Sequence, residues 1–185
     1  MYYVFSVIFR EGISISYYKA KELEKQDLSL YNVQGFLFNM IDDEFGYGYV
    51  ARYHQDIIDI ESHYIVPDKN NFYMAINQKT GRIIGSIGIR AYDRNYEIFK
   101  DEYSPETTAS IWRVFVDRPW RRNGIASTLV MLGEDFCHEK GYENIYLHTQ
   151  KTVDGSLDFW LSKGYKIVND TENQLKTVHM EKKLK

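Results

Sequence analysis

A basic turn between a predicted strand and a predicted helix holds the residues best suited to chemistry. The run VFVDRPWRRNGIAS, residues 114–127, leads from apolar positions through Arg121 and Arg122 to Gly124 and then into helical spacing. The first amide N–H groups of a helix lack intrahelical acceptors and carry the positive end of the helix dipole, so they bind phosphate well. Gly124 lets the backbone approach a phosphate oxygen, and the arginines add charge. The segment predicts a pyrophosphate site, with a solvated basic turn as the alternative.

The same turn resembles the signature of a known family. Residues 121–126 (RRNGIA) match the acetyl-coenzyme A motif R/Q-x-x-G-x-G/A of the GNAT superfamily of N-acetyltransferases. The segment FWLSKGY at 159–165 resembles the family's FYxxxGF segment, and HMEKKL at 179–184 resembles its closing strand. The resemblance covers residues 54–184, whereas residues 1–53 match the family only in general outline.

The resemblance implies a fold and a cosubstrate. The fold is of the α+β class, a mixed, mainly antiparallel sheet flanked by helices in three α/β/α layers, as a single domain over residues 1–185. The cosubstrate is acetyl-coenzyme A, with its pyrophosphate on the amides of the basic turn and its pantetheine arm paired with a strand like an added strand. The strands at 110–116 and 144–149 are implied to splay apart, with a bulge in the first that frees amides for the thioester carbonyl. The residues implied to bind the cosubstrate are Val114, Phe115, Val116, Arg121, Arg122, Asn123, Gly124, Ile125, Ala126, Ser127, Phe159 and Trp160.

The implied reaction is acetyl transfer to a primary amine by direct attack in a ternary complex. An alkyl amine has a pKa of about 10.4 and arrives protonated, so a general base, or water leading to one, is needed. Many members of the family place a glutamate at the start of the fourth strand, where this chain has Ser110. The remaining candidates are Glu106, just upstream, and His148, whose ordinary pKa suits base catalysis near neutrality. The alternatives are a solvated loop carboxylate for Glu106 and a hydrogen-bonded strand residue for His148.

Two functional positions, Val153 and Trp160, differ from the family's NxxAxxFY pattern, which here reads Val153, Ser156, Phe159 and Trp160. Trp160 stands where a tyrosine is often proposed to protonate the leaving thiolate, and an indole N–H does not titrate in the working range. We therefore expect Trp160 to shape the cofactor site by packing, and Cys137 to pack in the core. These departures leave an alternative function, a non-catalytic acyl-coenzyme A sensor or partner-binding module on the same fold.

Hydrophobic periodicity predicts the elements that position this site. The predicted strands are 2–9, 13–19, 71–77, 83–92, 110–116, 144–149, 165–168 and 177–184, with the first two as a hairpin. The predicted helices are 28–41, ended by the acidic run at 42–44, then 54–64, 124–140 and 156–163. An acidic connector over 93–108 carries Glu97, Asp101, Glu102 and Glu106, which favour a cationic acceptor if they face the cleft.

Composition and charge exclude several classes of protein. Of 185 residues, 44% are hydrophobic and 26% charged, as in folded domains, and a net charge of −3 disfavours nucleic acid as a partner. A single cysteine and no paired metal spacing among the histidines predict a reducing, cytoplasmic location without a metal. The apolar start is too short for a membrane span and lacks a signal-peptide pattern. The expected partner is a small-molecule amine or an amine of a peptide or protein, with residues 2–9 either a homodimer contact or an added strand.

Overall fold

An eight-stranded sheet runs through the computed structural model, which describes residues 13–15, 17–94 and 96–184. In spatial order the strands are β1 (Ile13–Ile15), β2 (Tyr18–Glu22), β3 (Asn71–Asn77), β4 (Ile83–Ala91), β5 (Thr108–Val116), β6 (Asn144–Gln150), β8 (Thr177–Lys183) and β7 (Lys166–Asp170). Neighbouring strands are antiparallel except β5 and β6, which are parallel. The predicted mixed, mainly antiparallel sheet is confirmed.

Helices cover both faces of this sheet. They are α1 (Asp27–Leu30), α2 (Val33–Phe45), α3 (Ala51–Ile58), α4 (Ile125–Glu139) and α5 (Ser156–Ser162), with a π-helical turn at Glu61–Ile65 and 3-10 turns at Glu97–Phe99 and Arg118–Trp120. One apolar core lies between the sheet and α4 with α5, and a second lies between the opposite face and α2 with α3. The three-layer α/β/α arrangement is therefore confirmed.

The side-chain alternation of the strands produces these two cores. In β3, the side chains of Phe72, Met74 and Ile76 contribute to the core under α2. Ala75, which lies between Met74 and Ile76, contributes to the core under α4. Helix α4 approaches β4 closely at Gly133, because a Cβ there would lie 2.8 Å from Cδ1 of Ile89. That close packing fixes α4 against the centre of the sheet.

The amino-terminal region differs from the sequence predictions. Helix α2 runs through the acidic residues 42–44 and ends only at Gly46, whose φ of 68° stops a helix. The predicted end before Asp42 is therefore wrong. The predicted strand 13–19 is instead two strands that fold back on each other, with Ile15 opposite Tyr18. The predicted strand 2–9 and its hairpin lie outside the described residues.

From residue 71 onward the predicted elements agree with the structure to within two residues at most boundaries. The largest shifts are two residues: β5 begins at Thr108 and not at Ser110, and β7 ends at Asp170 and not at Val168. None of the described helices combines the length and the apolar character that a membrane crossing requires.

Candidate active site

The two parallel strands at the centre of the sheet separate after a short paired stretch. Residues Thr108–Ser110 of β5 pair with Asn144–Tyr146 of β6, and the pairing ends there although β5 continues to Val116 and β6 to Gln150. Backbone groups of β5 and β6 beyond this point face a gap and not each other. A cleft thus opens in the middle of the sheet, toward the end where α4 begins.

A bulge in β5 lies beside the cleft. Ser86 and Gly88 of β4 are separated by one residue, but their partners Phe115 and Trp112 in β5 are separated by two. Arg113 provides the extra position and has a φ of 52°, in the left-handed region that side chains rarely adopt. The Ser86 hydroxyl donates a hydrogen bond of 2.7 Å to the Arg113 carbonyl and holds the bulge.

A buried ion pair anchors this strained residue to the helical layer. The Arg113 guanidinium donates to both carboxylate oxygens of Asp56, at 2.6 and 2.9 Å, and Tyr64 donates its hydroxyl to the same carboxylate at 2.6 Å. Burial acts to raise the pKa of Asp56, but the hydrogen bonds and charge of Arg113 outweigh it and hold that pKa below its ordinary value. Asp56 is therefore ionised, and its removal leaves a buried cation unpaired.

The basic turn has two left-handed residues on either side of Asn123. The φ angles are 64° at Arg122 and 78° at Gly124. The Asn123 side chain donates to the Arg121 carbonyl at 3.0 Å, and the Tyr17 hydroxyl donates to the Asn123 carbonyl at 2.8 Å. The turn is thus held in shape by its own side chain and by the neighbouring amino-terminal segment.

The first turn of α4 is open to a ligand. The first hydrogen bond within the helix runs from the Thr128 amide to the Gly124 carbonyl, at 3.0 Å, and no side chain caps the helix. The amides of Ile125, Ala126 and Ser127 therefore lack acceptors within the helix. A Cβ on Gly124 would meet nothing within 4 Å, so the backbone at the start of the helix is uncrowded at that residue. The sequence predicts an anion site at this position.

The arginines of the turn differ in their partners. Arg121 pairs with Glu44 at the end of α2 and donates to the Val116 carbonyl at 3.0 Å. Arg118 donates to the Asp43 carbonyl at 2.6 Å. Arg122 is exposed and has no ion pair within the described part of the chain. Arg122 is thus the cation that remains available for a phosphate, while Arg121 ties the turn to α2.

A cationic and aromatic cluster lies on the other face of the cleft from α4. Trp112 of β5 and His148 of β6 point to this face, because the residues next to them contribute to the core under α4. The Arg94 guanidinium carbon lies 3.2 Å from the centroid of the Trp112 ring. The rings of Tyr96 and His148 are 6.3 Å apart. Buried polar atoms without a hydrogen-bond partner concentrate here: Arg94 Nε, Ser110 Oγ, Trp112 Nε1 and His148 Nδ1.

The two sequence candidates for the general base are not brought together. His148 lies at the cleft, where burial and the nearby charge of Arg94 lower its pKa to about 3. Glu106 is exposed, its carboxylate 2.8 Å from the Lys69 amine, and it precedes β5. At about 3.3 Å per strand residue, the bulge at Arg113 lies roughly 16 Å beyond the start of β5. The structure therefore places His148, and not Glu106, beside the separated strands.

Helix α5 contributes one core residue and one residue nearer the surface. Trp160 is 5% exposed, and its ring centroid lies 5.1 Å from that of Tyr165 in the core under α4 and α5. Phe159 is half-buried against the same core. Cys137 is buried, and burial raises the pKa of its thiol, so it is not a nucleophile. Packing is thus the structural role of Trp160 and Cys137.

Sequence reasoning did not identify Arg94, Trp112 or the pair of Asp56 with Arg113. Each partner is ordinary in its local sequence, and only the fold brings them together. The acidic side chains of the connector, in contrast, are exposed: Glu97, Asp101, Glu102 and Glu106. The connector presents Arg94 and rings to the sheet and carboxylates to solvent.

Comparison with known proteins gives a consistent result. A family model described as the acetyltransferase (GNAT) family matches residues 35–165. A curated relative, N-acetyltransferase 8 of Rattus norvegicus, is 27% identical over 118 residues, which are 63% of this chain and 49% of the relative. N-acetylaspartate synthetase of Danio rerio is 25% identical over 65% of this chain and 38% of its own length. The chain therefore spans about half the length, or less, of these relatives.

Solved structures with the same fold cover nearly the whole chain. A GNAT-family acetyltransferase from Staphylococcus aureus Mu50 superposes with a TM-score of 0.71 at 19% identity, over 91% of this chain and 99% of that one. The PaiA N-acetyltransferase of Thermoplasma acidophilum, solved in complex with coenzyme A, superposes with a TM-score of 0.62 at 16% identity, over 90% and 99% of the two chains. At these identities the likeness shows the fold.

Proposed function

Because this chain belongs to the acetyltransferase (GNAT) family, we propose that it transfers the acetyl group of acetyl-coenzyme A to a primary amine by direct attack in a ternary complex. The acyltransferase class and acetyl-coenzyme A as cosubstrate come with family membership, whereas the acceptor, the chemical route and the residues involved are our proposal. One observation carries it: β5 and β6 separate beside the uncapped start of α4. A single cleft thus joins an anion site to unpaired strand backbone.

In this proposal the basic turn holds the pyrophosphate. The amides from Arg122 to Ser127 donate to its oxygens, and the exposed Arg122 guanidinium adds charge. Gly124 has no side chain, and nothing lies within 4 Å of its Cβ position, so a phosphate oxygen can approach the backbone there. Arg121 acts indirectly, because its pairing with Glu44 fixes the turn against α2.

The pantetheine arm lies in the gap between the separated strands. Backbone groups of Val114, Phe115 and Val116 pair with its amides, as an added strand would. Phe159 of α5 borders the arm, and Trp160 supports that helix from the core. The bulge at Arg113 takes β5 amides out of the ladder with β4, so they are available to the thioester carbonyl as negative charge develops on its oxygen.

The proton of the attacking amine leaves through the acceptor side of the cleft. His148 is uncharged at neutral pH because its pKa is lowered to about 3, so it accepts a hydrogen bond from the amine but does not retain the proton. Water in the cleft carries the proton away. The thiol of coenzyme A has a pKa near that of cysteine, about 8.5, so the leaving group needs no strong acid from Trp160.

Two-substrate kinetics with a panel of amines test this function. We expect consumption of acetyl-coenzyme A that depends on an amine, intersecting reciprocal plots, and no acetylated protein by intact mass when the amine is omitted. Parallel plots with an acetylated protein would replace direct attack by a covalent intermediate. Tight binding of acetyl-coenzyme A without turnover of any amine would favour the sensor alternative.

A further inference from the structure

A cation without a counterion lies on the acceptor side of the cleft. The guanidinium of Arg94 has no hydrogen bond or ion pair with any described residue, and its Nε atom is buried without a partner. Its guanidinium carbon lies over the Trp112 ring, 3.2 Å from the ring centroid. This cation–π contact uses the ring face and no N–H donor, so the donors of the guanidinium remain for another partner.

The other arginines in this part of the molecule are paired. Arg90 stacks on the same Trp112 ring, at 4.6 Å, but forms an ion pair with Asp93. Arg113 is paired with Asp56. A guanidinium removed from water without a carboxylate is costly, and burial lowers the pKa of Arg94 from its ordinary value. A ligand that supplies the missing negative charge would offset this cost.

Asp93 is the carboxylate that acts on Arg94, whereas the cleft around His148 is basic. The charged groups that act on His148 are Arg94, His179 and Arg113, all of them basic. Asp93 is engaged with Arg90, and the connector acids Glu97, Asp101 and Glu102 are exposed on the outside. A cleft with this field attracts an anion.

Two unpartnered hydrogen-bond donors of β5, on the same face of the sheet as the Trp112 ring, would complete a carboxylate site. The Ser110 hydroxyl and the Trp112 indole N–H are buried without partners, and they lie two strand positions apart on one face of β5. An arginine fork with added O–H or N–H donors matches a carboxylate in shape and charge. These donors are next to the bulge, where the acetyl group is placed by the proposed function.

We propose that the acceptor is a primary amine that also carries a carboxylate, as an amino acid does, and that Arg94 binds this carboxylate. The inference rests on the proposed acetyl transfer and narrows its acceptor. It runs opposite to the expectation from the acidic connector, which favours a cationic amine. The rings of Tyr92 and Tyr96, on the same connector, give the rest of the acceptor an apolar surface.

Matched acceptor pairs test the proposal. The full chain is assayed with amino acids, each compared with its own carboxamide, which keeps the amine and the side chain but removes the negative charge. We expect kcat/KM to be about 100-fold or more higher for the free carboxylates. Equal values across the pairs would overturn the inference and leave acetyl transfer itself established.

Substitution of Arg94 identifies the residue responsible. Arg94→Gln should remove the preference by lowering kcat/KM for carboxylates alone, and Arg94→Lys should restore part of it. Arg90→Gln is the matched control, because Arg90 lies over the same Trp112 ring but is already paired with Asp93. The preference of this variant for carboxylate acceptors should be unchanged. A merely structural role for Arg94 predicts a lower melting temperature and equal losses for both members of each pair, and that result would contradict the proposal.

Direct binding separates a failure of this inference from a failure of the proposed function. If no amine is acetylated, the acetyl-transfer proposal fails, and titration of the coenzyme A complex with an amino acid and its carboxamide still decides the role of Arg94. Calorimetry should detect the amino acid with wild type and not with Arg94→Gln. Absence of binding to wild type, or equal binding of both compounds, would overturn the carboxylate site.

Discussion

The two ends of the cleft are built from different materials. The end proposed to bind phosphate, called the phosphate end, is one continuous segment, residues 117–127, and its proposed donors are backbone amides at the start of α4. The proposed acceptor end consists of side chains from three separate segments: Arg94 in the connector, Trp112 in β5 and His148 in β6. Backbone donors survive most substitutions, whereas a site made of side chains changes with each one. This difference explains how a fixed cosubstrate can be combined with a variable acceptor.

The largest expected effect is at the Asp56–Arg113 ion pair, which lies between the two ends of the cleft. Asp56→Ala should destabilise the protein by about 3–5 kcal/mol, because it leaves the buried Arg113 beside the bulge unpaired. The free energy of unfolding in urea measures this. Asp68→Ala is the control, since Asp68 is paired with Lys140 but its side chain is 87% exposed, and it should cost less than about 1 kcal/mol. Similar losses for both variants would mean that the Asp56 pair does not hold the bulge.

A glutamate at position 124 should disable the phosphate end. Gly124→Glu places an anion before the amides of α4. It should weaken the binding of coenzyme A at least about 100-fold, or about 2.7 kcal/mol. Calorimetric titration gives the Kd. Gly141→Glu is a matched control: Gly141 has a φ of 76° against 78° at Gly124, and a Cβ at either position meets nothing within 4 Å. An equal loss of affinity in the two variants would point to backbone strain and not to the anion site.

The acceptor end should respond to pH through the stability of the fold. The pKa of His148 is about 3 in the folded chain against an ordinary 6.5, so the unfolded chain binds the proton more readily. Stability is then complete above pH 6.5 and falls below it, by about 1.4 kcal/mol for each pH unit down to the folded pKa. Urea unfolding between pH 7 and 5 measures how steeply the free energy of unfolding falls with pH. This fall should be shallower in His148→Phe than in wild type. An unchanged slope would show that His148 is hydrated and protonates freely.

The smallest effect distinguishes the two arginines of the turn. Arg122→Gln should weaken the binding of coenzyme A about five-fold, or about 1 kcal/mol, at low salt. The effect should be smaller at high salt, because salt screens an exposed charge. Arg121→Gln should mainly lower the melting temperature, since it breaks the contact with Glu44. Titrations at two ionic strengths, with thermal unfolding of each variant, make the comparison. If Arg121→Gln weakened coenzyme A binding in a salt-dependent way and Arg122→Gln did not, Arg121 would be the residue whose charge binds the phosphate.

The elements around the basic turn and most of the sheet could be predicted because their signals are local. A strand, a basic turn and a helix follow each other in residues 108–139, and apolar spacing alone places them. Arg94 on Trp112 could not be predicted, since nothing in the intervening residues marks the pair. The same holds for Arg121 with Glu44, because a helix end predicted before Asp42 leaves that glutamate in a loop. Side-chain pairing between distant segments is decided by the fold, and that pairing makes up the acceptor end.

A structure of the protein with coenzyme A bound tests the central claim most directly. We expect the pyrophosphate within hydrogen-bond distance of the amides of residues 122–127, the pantetheine between β5 and β6, and the sulfur beside the bulge at Arg113. A pyrophosphate held away from this turn, or a pantetheine arm outside the gap between the two strands, would contradict the account.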